Sequence, residues 1–359
     1  MRPLLSVCIP TYNRAESLRR SLRWWIPQIN ESGGMVELVV SDNCSTDHTP
    51  QVIKEALQYG EFRHNRNSSN IGGGPNMHKL ASEFAQGDYV WLVGDDDLPG
   101  NGAVTRTLRA LQNHPDIDYA YINYRCLHAF LGIDVEVSNQ MELEALCPPM
   151  TPDFSMRYVT KVKELAGINE HCFTPIYCSI MRRSMAASAF KKGLGLEPFS
   201  TLESAAGHAV YIVEHLFDRP GYYVGEPCLI VSDAISWLEY LPVYALVLVP
   251  ELHTRFLGAG VDRRVVDDLR RRWLRTAGVA IWFLMTSKNI ACRERVSVWR
   301  FWRNNWRYPQ MWFTLGDLSL RYAVNLLPRP VVVRLKALRN KLTRSKTRKT
   351  APGPVGGGS

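Results

Sequence analysis

Three consecutive aspartates follow an apolar segment in the first third of the chain. Tyr89–Val93 has the composition of a buried strand, and Gly94 separates it from Asp95–Asp97. Adjacent carboxylates repel one another and have low strand propensity, so the usual reason for keeping them together is cation binding. Carboxylate oxygens of this kind hold Mg²⁺ or Mn²⁺ against a phosphate group. The alternative is a solvated acidic turn before the helix predicted to start near Gly102.

Two further polar clusters also follow predicted strands. Thr11–Arg14 comes after an apolar run that Pro10 ends, and Asp42–Asp47 comes after Val36–Val40. Helical patterns separate these strands, and this alternation predicts a parallel sheet with helices on both faces. Ligands of such sheets bind beyond the carboxyl ends of the strands. The three polar clusters therefore predict one binding site at one edge of the sheet.

The same patterns predict the elements around these clusters. The predicted segments are a helix over Thr49–Tyr59, an edge strand over Phe62–Asn65, helices over Met77–Ala85 and Gly102–Asn113, a strand over Tyr119–Asn123 and an apolar helix over Ala205–Phe217. Gly72–Gly74 lacks the lysine and the spacing of a phosphate-binding loop, so we interpret it as a turn in the wall of the site.

The motifs together resemble those of family 2 glycosyltransferases of the GT-A fold. The matching segments are Ile9–Arg14, Val40–Asp47, Asn70–Gly72 and Gly94–Asp97, in the order found in that family. The two acidic motifs are similar to those of bacterial O-antigen sugar transferases of the abequosyltransferase type. This resemblance covers about the first third of the chain. It implies an α/β fold with a mostly parallel, Rossmann-like sheet flanked by helices, here followed by a helical, basic C-terminal extension.

The resemblance implies a pocket for a nucleotide-sugar donor. The residues that would line its base and ribose part are Pro10, Thr11, Tyr12 and Arg14, with Asn76 as a further contact. Asp42 would accept a hydrogen bond from the base. Two alternatives stay open, because Arg14 could be a surface residue at a helix start and Asp42 could form an Asx turn.

The resemblance also gives the three aspartates separate roles. Asp95 would bind the ribose hydroxyls, while Asp96 and Asp97 would hold Mn²⁺ or Mg²⁺ against the diphosphate. Such a metal neutralises the charge on the departing nucleoside diphosphate, which is Lewis-acid catalysis.

The catalytic base is not assigned by the resemblance. The Glu-Asp pair usual in the family and the Gln-x-x-Arg-Trp motif of its processive synthases are absent, which argues against a processive synthase. An inverting enzyme needs a carboxylate to deprotonate the acceptor hydroxyl. Glu203 is the favoured candidate and Glu197 the second, because both precede an apolar helix. Glu170 and His171 are alternatives, and His208 is either a binding residue or a satisfied helix histidine.

The composition fits a globular enzyme with reduced cysteines. The chain has 359 residues, 46% of them hydrophobic, so it can bury a large core and hold more than one domain. Its eight cysteines include no Cys-x-x-Cys pair and no cluster at zinc-ligand spacing. We recognise no charged-then-apolar N-terminal signal, so the cytosol is the expected compartment.

The C-terminal part is basic and rich in tryptophan. From Arg293 to Lys349 there are fifteen Lys or Arg residues against two acids, whereas the whole chain has a net charge of +9. Trp299, Trp302 and Trp306 fall on one helical face, and an arginine directly follows each of them. This pattern is typical of an interfacial helix on an anionic membrane. The longest apolar runs are about half of the ~20 residues needed to span a bilayer.

Other interpretations of this region stay open. The tryptophans could pack the helical region onto the catalytic domain. The basic residues could bind nucleic acid, but no nucleic-acid-binding fold accompanies them, and we expect no nucleic-acid partner. A second basic stretch, Val331–Lys349, has eight Lys or Arg residues and no acid.

These patterns divide the chain into four predicted parts. Residues 1–123 would bind the donor, 124–240 would bind the acceptor and carry the base, 241–345 would form a helical, membrane-associated region, and 346–359 would be a flexible tail. The resemblance implies a metal-dependent transferase that moves one sugar to a saccharide acceptor. That acceptor would be polyprenyl-linked, in bacterial surface polysaccharide synthesis at the inner face of the cell membrane. The alternative is a non-catalytic relative that binds nucleotide sugars or membranes on the same fold.

Overall fold

A computed structural model describes residues 2–127, 139–232, 237–314, 316 and 318. The second basic stretch at 331–349 and the predicted tail at 346–359 lie outside the described residues. Within these residues, nine strands form one sheet. They are β1 (Leu5–Thr11), β2 (Val36–Asp42), β3 (Arg63–Arg66), β4 (Tyr89–Leu92), β5 (Leu98–Pro99), β6 (Tyr119–Leu127), β7 (Met156–Val159), β8 (Ser179–Arg182) and β9 (Gly221–Ser232).

The helices of the described residues lie between and after these strands. They are α1 (Ala15–Asn30), α2 (Thr49–Ala56), α3 (Gly73–Lys79), α4 (Ala103–Asn113), α5 (Gln140–Leu146), α6 (Arg183–Lys191), α7 (Leu202–Tyr211), α8 (Leu241–Val243), α9 (Val249–Gly258), α10 (Arg263–Thr286) and α11 (Val298–Asn305). Turns of π-helix continue three of them: Leu80–Phe84 after α3, Ile212–Leu216 after α7 and Tyr244–Leu248 after α8.

The sheet has a parallel half and a mixed half. Its strand order is β3-β2-β1-β4-β8-β6-β9-β5, with β7 paired to β9. β1 runs parallel to β2 and β4, and β2 runs parallel to β3. Beyond β4 the sheet is mixed, because β8 runs antiparallel to both of its neighbours, β4 and β6. The predicted parallel arrangement therefore holds where the three polar clusters lie.

The buried strands carry the continuous apolar pattern that a two-sided parallel sheet requires. Leu5, Val7 and Ile9 of β1 are fully buried, whereas β3 at the sheet edge is mostly exposed. Within the described residues, the predicted elements around the site are found with shifted ends. α2 ends at Ala56, and α3 starts at Gly73 rather than at Met77, because proline is tolerated in a first helical turn.

A second apolar cluster lies in the C-terminal part. It joins α8, α10 and α11 through Leu241, Trp273, Ile281, Phe301 and Met311 among other residues. Within the described ranges, no helix combines the length and the apolar character that a membrane crossing would require.

Candidate active site

The loops after β1, β2 and β4 meet at one edge of the sheet. Thr11 at the end of β1 lies opposite Asp42 at the end of β2 in the parallel register. The Thr11 hydroxyl donates to Asp95 Oδ2 at 2.7 Å, and this bond joins the end of β1 to the aspartates after β4. The three polar clusters predicted to form one site are therefore neighbours in the fold.

The three adjacent aspartates have different surroundings. Asp95 accepts from Thr11 and forms an ion pair with Arg14 Nε at 2.7 Å, and its side chain is only 7% exposed. Asp96 is paired with the other end of the same guanidinium, and its side chain is 31% exposed. Asp97 points inward, where it accepts from the Gly94 backbone N–H at 2.6 Å. Asp96 is therefore the carboxylate of the triplet that is most open to a ligand.

Gly94 allows the sharp turn from β4 into this triplet. A Cβ at Gly94 would lie 2.9 Å from Asp96 Oδ1 and 3.0 Å from Asp97 Oδ2, so a larger residue here would push these carboxylates out of position. The Asp97 carbonyl in turn accepts from Ser21 Oγ and Trp25 Nε1 of α1. Contacts from α1 thus hold the turn from inside the protein, and the solvent-facing side of the turn, with Asp96, is left for binding.

Burial raises the pKa of Asp95 and of Asp97. Desolvation raises the pKa of Asp95 to about 6, although Arg14 and Thr11 counteract it. Desolvation, reinforced by the charge of Asp96, raises the pKa of Asp97 to about 8. A crowded, partly desolvated carboxylate cluster gains stability when a cation approaches it.

Asp42 is buried and already has two donors. The Ser45 backbone N–H donates to its Oδ1 at 2.8 Å, and Arg66 Nη1 lies 2.9 Å from its Oδ2. The turn-forming interpretation of Asp42 is therefore part of its role. Each carboxylate oxygen can accept more than one hydrogen bond, so a contact to a nucleotide base stays a prediction. Tyr12 next to this loop is 41% exposed, whereas Pro10 is half-buried in β1.

Asn13 was missed by the sequence analysis, although it ties two loops of the site together. Its backbone N–H donates to Ser45 Oγ at 2.9 Å, and its Oδ1 accepts from the Thr46 N–H at 2.7 Å. It adopts a φ of +53°, a conformation that asparagine tolerates better than most residues. An asparagine directly after the polar end of a strand was the available signal.

Asn76 belongs to a buried amide network behind the site. Its Oδ1 accepts from Ser41 Oγ at 2.7 Å and from Asn67 Nδ2 at 2.9 Å, and its Nδ2 donates to the Ser41 carbonyl. Asn67, like Arg66, was not singled out by the sequence analysis. The network fixes the end of β2 against α3, and a direct contact of Asn76 with a donor stays a prediction.

The residues proposed as the catalytic base belong to other elements than the strand-end loops. Glu203 at the start of α7 forms an ion pair with Arg255 of α9 at 2.8 Å. Partial burial raises the pKa of Glu203, but hydrogen bonds and Arg255 outweigh it and leave the pKa below its ordinary value. Glu197 is exposed, and Glu170 is half-buried. The role of each as a base stays a prediction.

The two histidines near these acids are largely desolvated. His208 is buried, and its Nε2 lies 3.0 Å from the Thr174 carbonyl. Burial lowers the pKa of His208 to about 4, so it is neutral at physiological pH. Burial likewise lowers the pKa of His171, although Glu170 opposes the shift. The His208 contacts favour the satisfied helix histidine over the binding residue.

A divalent cation would need ligands beyond the protein. Among the described residues, no three His, Cys, Asp or Glu side chains come together as a metal site. Mg²⁺ is commonly held by one or two carboxylates plus the phosphates of a substrate. The partly exposed Asp96 beside Asp95 fits that shared kind of site, and Arg14 already places one positive charge between the two carboxylates.

The sequence model of Glycosyl transferase family 2 matches residues 6–186, which is about half of the chain and includes all three strand-end clusters. The chain belongs to this family. The resemblance inferred from the motifs is therefore confirmed, and the strand-end clusters described above lie inside the matched range.

Individual relatives match a shorter part. The abequosyltransferase RfbV of Salmonella typhimurium is 36% identical over 143 residues, which are 38% of this chain and 39% of that protein. The GalNAc(5)-diNAcBac-PP-undecaprenol beta-1,3-glucosyltransferase of Campylobacter jejuni is 29% identical over 126 residues, or 35% of this chain and 38% of that protein. The match thus spans less than two fifths of either relative.

The fold agrees with that of a solved structure. TarS residues 1–349 of S. aureus superpose with a TM-score of 0.51 at 17% sequence identity, and the match covers 85% of this chain and 78% of that TarS fragment. The predicted GT-A-like α/β fold, with helices flanking the sheet, is therefore confirmed. At this identity the likeness concerns the fold alone.

Proposed function

We propose that this chain is a glycosyltransferase that moves one sugar from a nucleotide-sugar donor to a saccharide acceptor. The observation that carries the proposal is the cluster of Thr11, Arg14, Asp95 and Asp96 at the carboxyl ends of β1 and β4. Ligands of open α/β sheets bind at this edge. Membership of Glycosyl transferase family 2 supports the reaction class.

The donor would lie across the ends of β1, β2 and β4. The exposed Tyr12 offers an aromatic surface to the base, and Asp42 offers an acceptor for a base N–H. Asp95, held rigidly by Thr11 and Arg14, would accept from the ribose hydroxyls. The side chains of Asp42 and Asp95 are already oriented by their partners in the fold, which lowers the entropic cost of binding.

Asp96 would hold Mn²⁺ or Mg²⁺ together with the donor diphosphate, with Asp97 as a further predicted ligand. The bound metal would neutralise charge that develops on the leaving nucleoside diphosphate. Arg14, which contacts both Asp95 and Asp96, would partly neutralise the pair before the donor binds. The inward orientation of Asp97 makes its role in shaping the turn the larger one.

Transfer needs a group that takes the proton of the acceptor hydroxyl as its oxygen attacks the anomeric carbon. Glu203 stays our first candidate, because its carboxylate is ionised and only partly buried. Glu197, on an exposed loop before α7, is the second. We further propose a polyprenyl-linked saccharide acceptor at the inner face of the cell membrane, in line with the undecaprenol named for the Campylobacter relative.

Nucleotide binding with and without metal tests this function. The wild type and Asp96→Ala would be heated with uridine, guanosine, cytidine or thymidine diphosphate, each with Mn²⁺ or with excess chelator. One diphosphate should stabilise the wild type in Mn²⁺ by about 2.7 kcal/mol at roughly 100 times its Kd. Asp96→Ala should lose the metal-dependent part of this gain.

The matched control is Asp88→Ala. It removes a partly exposed acid that is paired with Arg2 and directly precedes β4, at the strand end opposite to the aspartates. It should bind nucleotides like the wild type. Turnover is followed as release of the nucleoside diphosphate from its sugar donor, and Asp96→Ala should lower it by about 10³-fold. Undiminished turnover in excess chelator would contradict metal dependence. Nucleotide binding without any turnover would favour the non-catalytic relative.

A further inference from the structure

We propose that α11 and the segment after it form a surface that binds an anionic lipid bilayer. This aromatic–arginine surface consists of Trp299, Trp306, Trp312 and Phe313 with Arg300, Arg303 and Arg307. It lies outside the strand-end site, and the proposal does not depend on the sugar transfer proposed above.

Large aromatic side chains are exposed on this surface. Trp299 is 66% exposed, Trp306 44%, Trp312 54% and Phe313 77%. The opposite side of α11 faces the second apolar cluster through Phe301, which is only 4% exposed. Trp299, Trp306 and Trp312 are therefore mainly exposed to solvent, whereas the half-buried Trp302 packs against this cluster. Trp299, Trp302 and Trp312 are joined by ring contacts, and exposed aromatic groups of this kind mark a binding surface.

The rings are held in place by contacts within the surface. Trp299 and the half-buried Trp302 stack with centroids 4.9 Å apart and planes 22° apart. Trp312 Nε1 donates to the Trp306 carbonyl at 3.0 Å. These contacts satisfy the indole N–H of Trp312 and fix the rings before binding, so little side-chain entropy remains to be lost.

The region is positively charged, and its arginine side chains are accessible to a partner. Between residues 293 and 314 there are five arginines and one acid, Glu294. Arg300, Arg303 and Arg307 are exposed, and none of them forms an ion pair with a residue that the structure describes. An anionic surface would complement this charge, and the aromatic groups suit the headgroup level of a bilayer.

The ring contacts favour a bilayer over single-stranded nucleic acid. Bases stack on the open faces of aromatic side chains. Here Trp299 and Trp302 cover one face of each other, and Arg307 lies 5.5 Å from the centre of the Trp306 ring. A bilayer needs no open ring faces, because it accepts aromatic groups by burial at the interface.

Vesicle co-sedimentation of the full chain tests the proposal. The probes are phosphatidylcholine vesicles with and without phosphatidylglycerol, at low and at high salt. The charge variant combines Arg300→Gln, Arg303→Gln and Arg307→Gln. The aromatic variant combines Trp299→Ala, Trp312→Ala and Phe313→Ala. The control combines Arg263→Gln, Arg264→Gln and Arg271→Gln, which removes the same charge from exposed positions of α10.

We expect the wild type and the control to bind anionic vesicles at low salt. Each lost arginine should weaken binding about fivefold, so the charge variant should lose about 100-fold at low salt. The aromatic variant should keep salt-sensitive binding but lose the part that persists at high salt. Far-ultraviolet circular dichroism would verify that each variant is folded. Asp96→Ala should bind vesicles like the wild type, which separates failure of this surface from failure of the catalytic proposal.

Three results would overturn the proposal. The first is equal vesicle binding by the wild type and the charge variant, and the second is equal loss in the charge variant and the control. The third is a wild type that ignores anionic vesicles yet binds single-stranded oligonucleotides, or self-associates in a manner abolished by the aromatic variant. Oligonucleotide binding would assign the surface to nucleic acid, and self-association would assign it to a second copy of the chain.

Discussion

The strand-end site and the aromatic–arginine surface use arginine in opposite ways. At the site, Arg14 lies between Asp95 and Asp96, and Arg66 lies against Asp42. On the surface, Arg300 and Arg303 form no ion pair with a described residue. A paired arginine orients a carboxylate for a specific ligand. An unpaired one contributes to a long-range, salt-sensitive attraction.

Tryptophan shows the same contrast between the two regions. Trp25 and Trp91 are fully buried and meet edge to face with centroids 5.3 Å apart. Trp25 Nε1 donates to the Asp97 carbonyl, so this pair supports the site from below. Trp299 and Trp312 instead present their rings to solvent. A tryptophan therefore supports the site or offers a binding surface according to its surroundings, and composition alone does not distinguish the two roles.

The largest predicted effect tests whether the catalytic machinery extends beyond the strand ends. Glu203→Gln preserves the shape of the side chain but cannot take the acceptor proton. Turnover should fall by ~10²–10⁴, with donor affinity unchanged. Steady-state rates and nucleotide titrations on the same preparation would measure both quantities.

Arg255→Gln is the control for this change, because it breaks the same 2.8 Å ion pair and leaves the carboxylate intact. It should cost much less turnover than Glu203→Gln. Equal losses in the two variants would make the pair a structural link between α7 and α9. Normal turnover of Glu203→Gln would move the base to Glu197 or Glu170.

The second prediction compares the two sides of α11. Phe301→Ala opens a cavity in the second apolar cluster and should lower the free energy of unfolding by about 3–5 kcal/mol. Trp299→Ala removes an exposed ring and should change it by about 0.5 kcal/mol or less. Urea denaturation of the full chain would measure both. Similar losses in the two variants would mean that Trp299 is part of the core after all.

The sequence predicted the strand-end site better than the C-terminal surface. β1, β2 and β4 are mostly apolar segments, and parallel topology brings their polar ends to one edge of the sheet. Arg66 and Asn67 escaped prediction because their contacts to Asp42 and Asn76 depend on the pairing of β3 with β2. Such pairing is not encoded in local spacing.

For α11, the sequence failed to predict the buried face for a different reason. Helical periodicity indicated that Trp299, Trp302 and Trp306 share a face, but it could not tell which face is buried. The structure buries Phe301 and Asn305 instead. Aromatic character alone therefore left both the core and the membrane interpretation open.

The third prediction tests whether Asp42 does more than form a turn. Asp42→Asn replaces an acceptor with a donor at the proposed position of the base and should weaken nucleotide binding by about 1–3 kcal/mol. Arg66→Gln serves as the control, because it removes the ion-pair partner at 2.9 Å while the acceptor remains. If Asp42→Asn lowered only thermal stability and left nucleotide affinity unchanged, the turn would be its whole role.

The smallest effect tests the paired arginine itself. Arg14 places its positive charge between Asp95 and Asp96, so a divalent cation must compete with it. In Arg14→Gln, Mn²⁺ should bind more tightly without nucleotide, by up to about fivefold, since a partly exposed ion pair contributes ~0.2–1 kcal/mol. Titration followed by water-proton relaxation would measure this. Arg19→Gln removes another arginine of α1, which is paired with Glu55 of α2. This variant should leave Mn²⁺ affinity unchanged. Weaker Mn²⁺ binding in Arg14→Gln would show that Arg14 supports the cation position rather than competing for it, and the contrast with the unpaired arginines of α11 would then no longer hold.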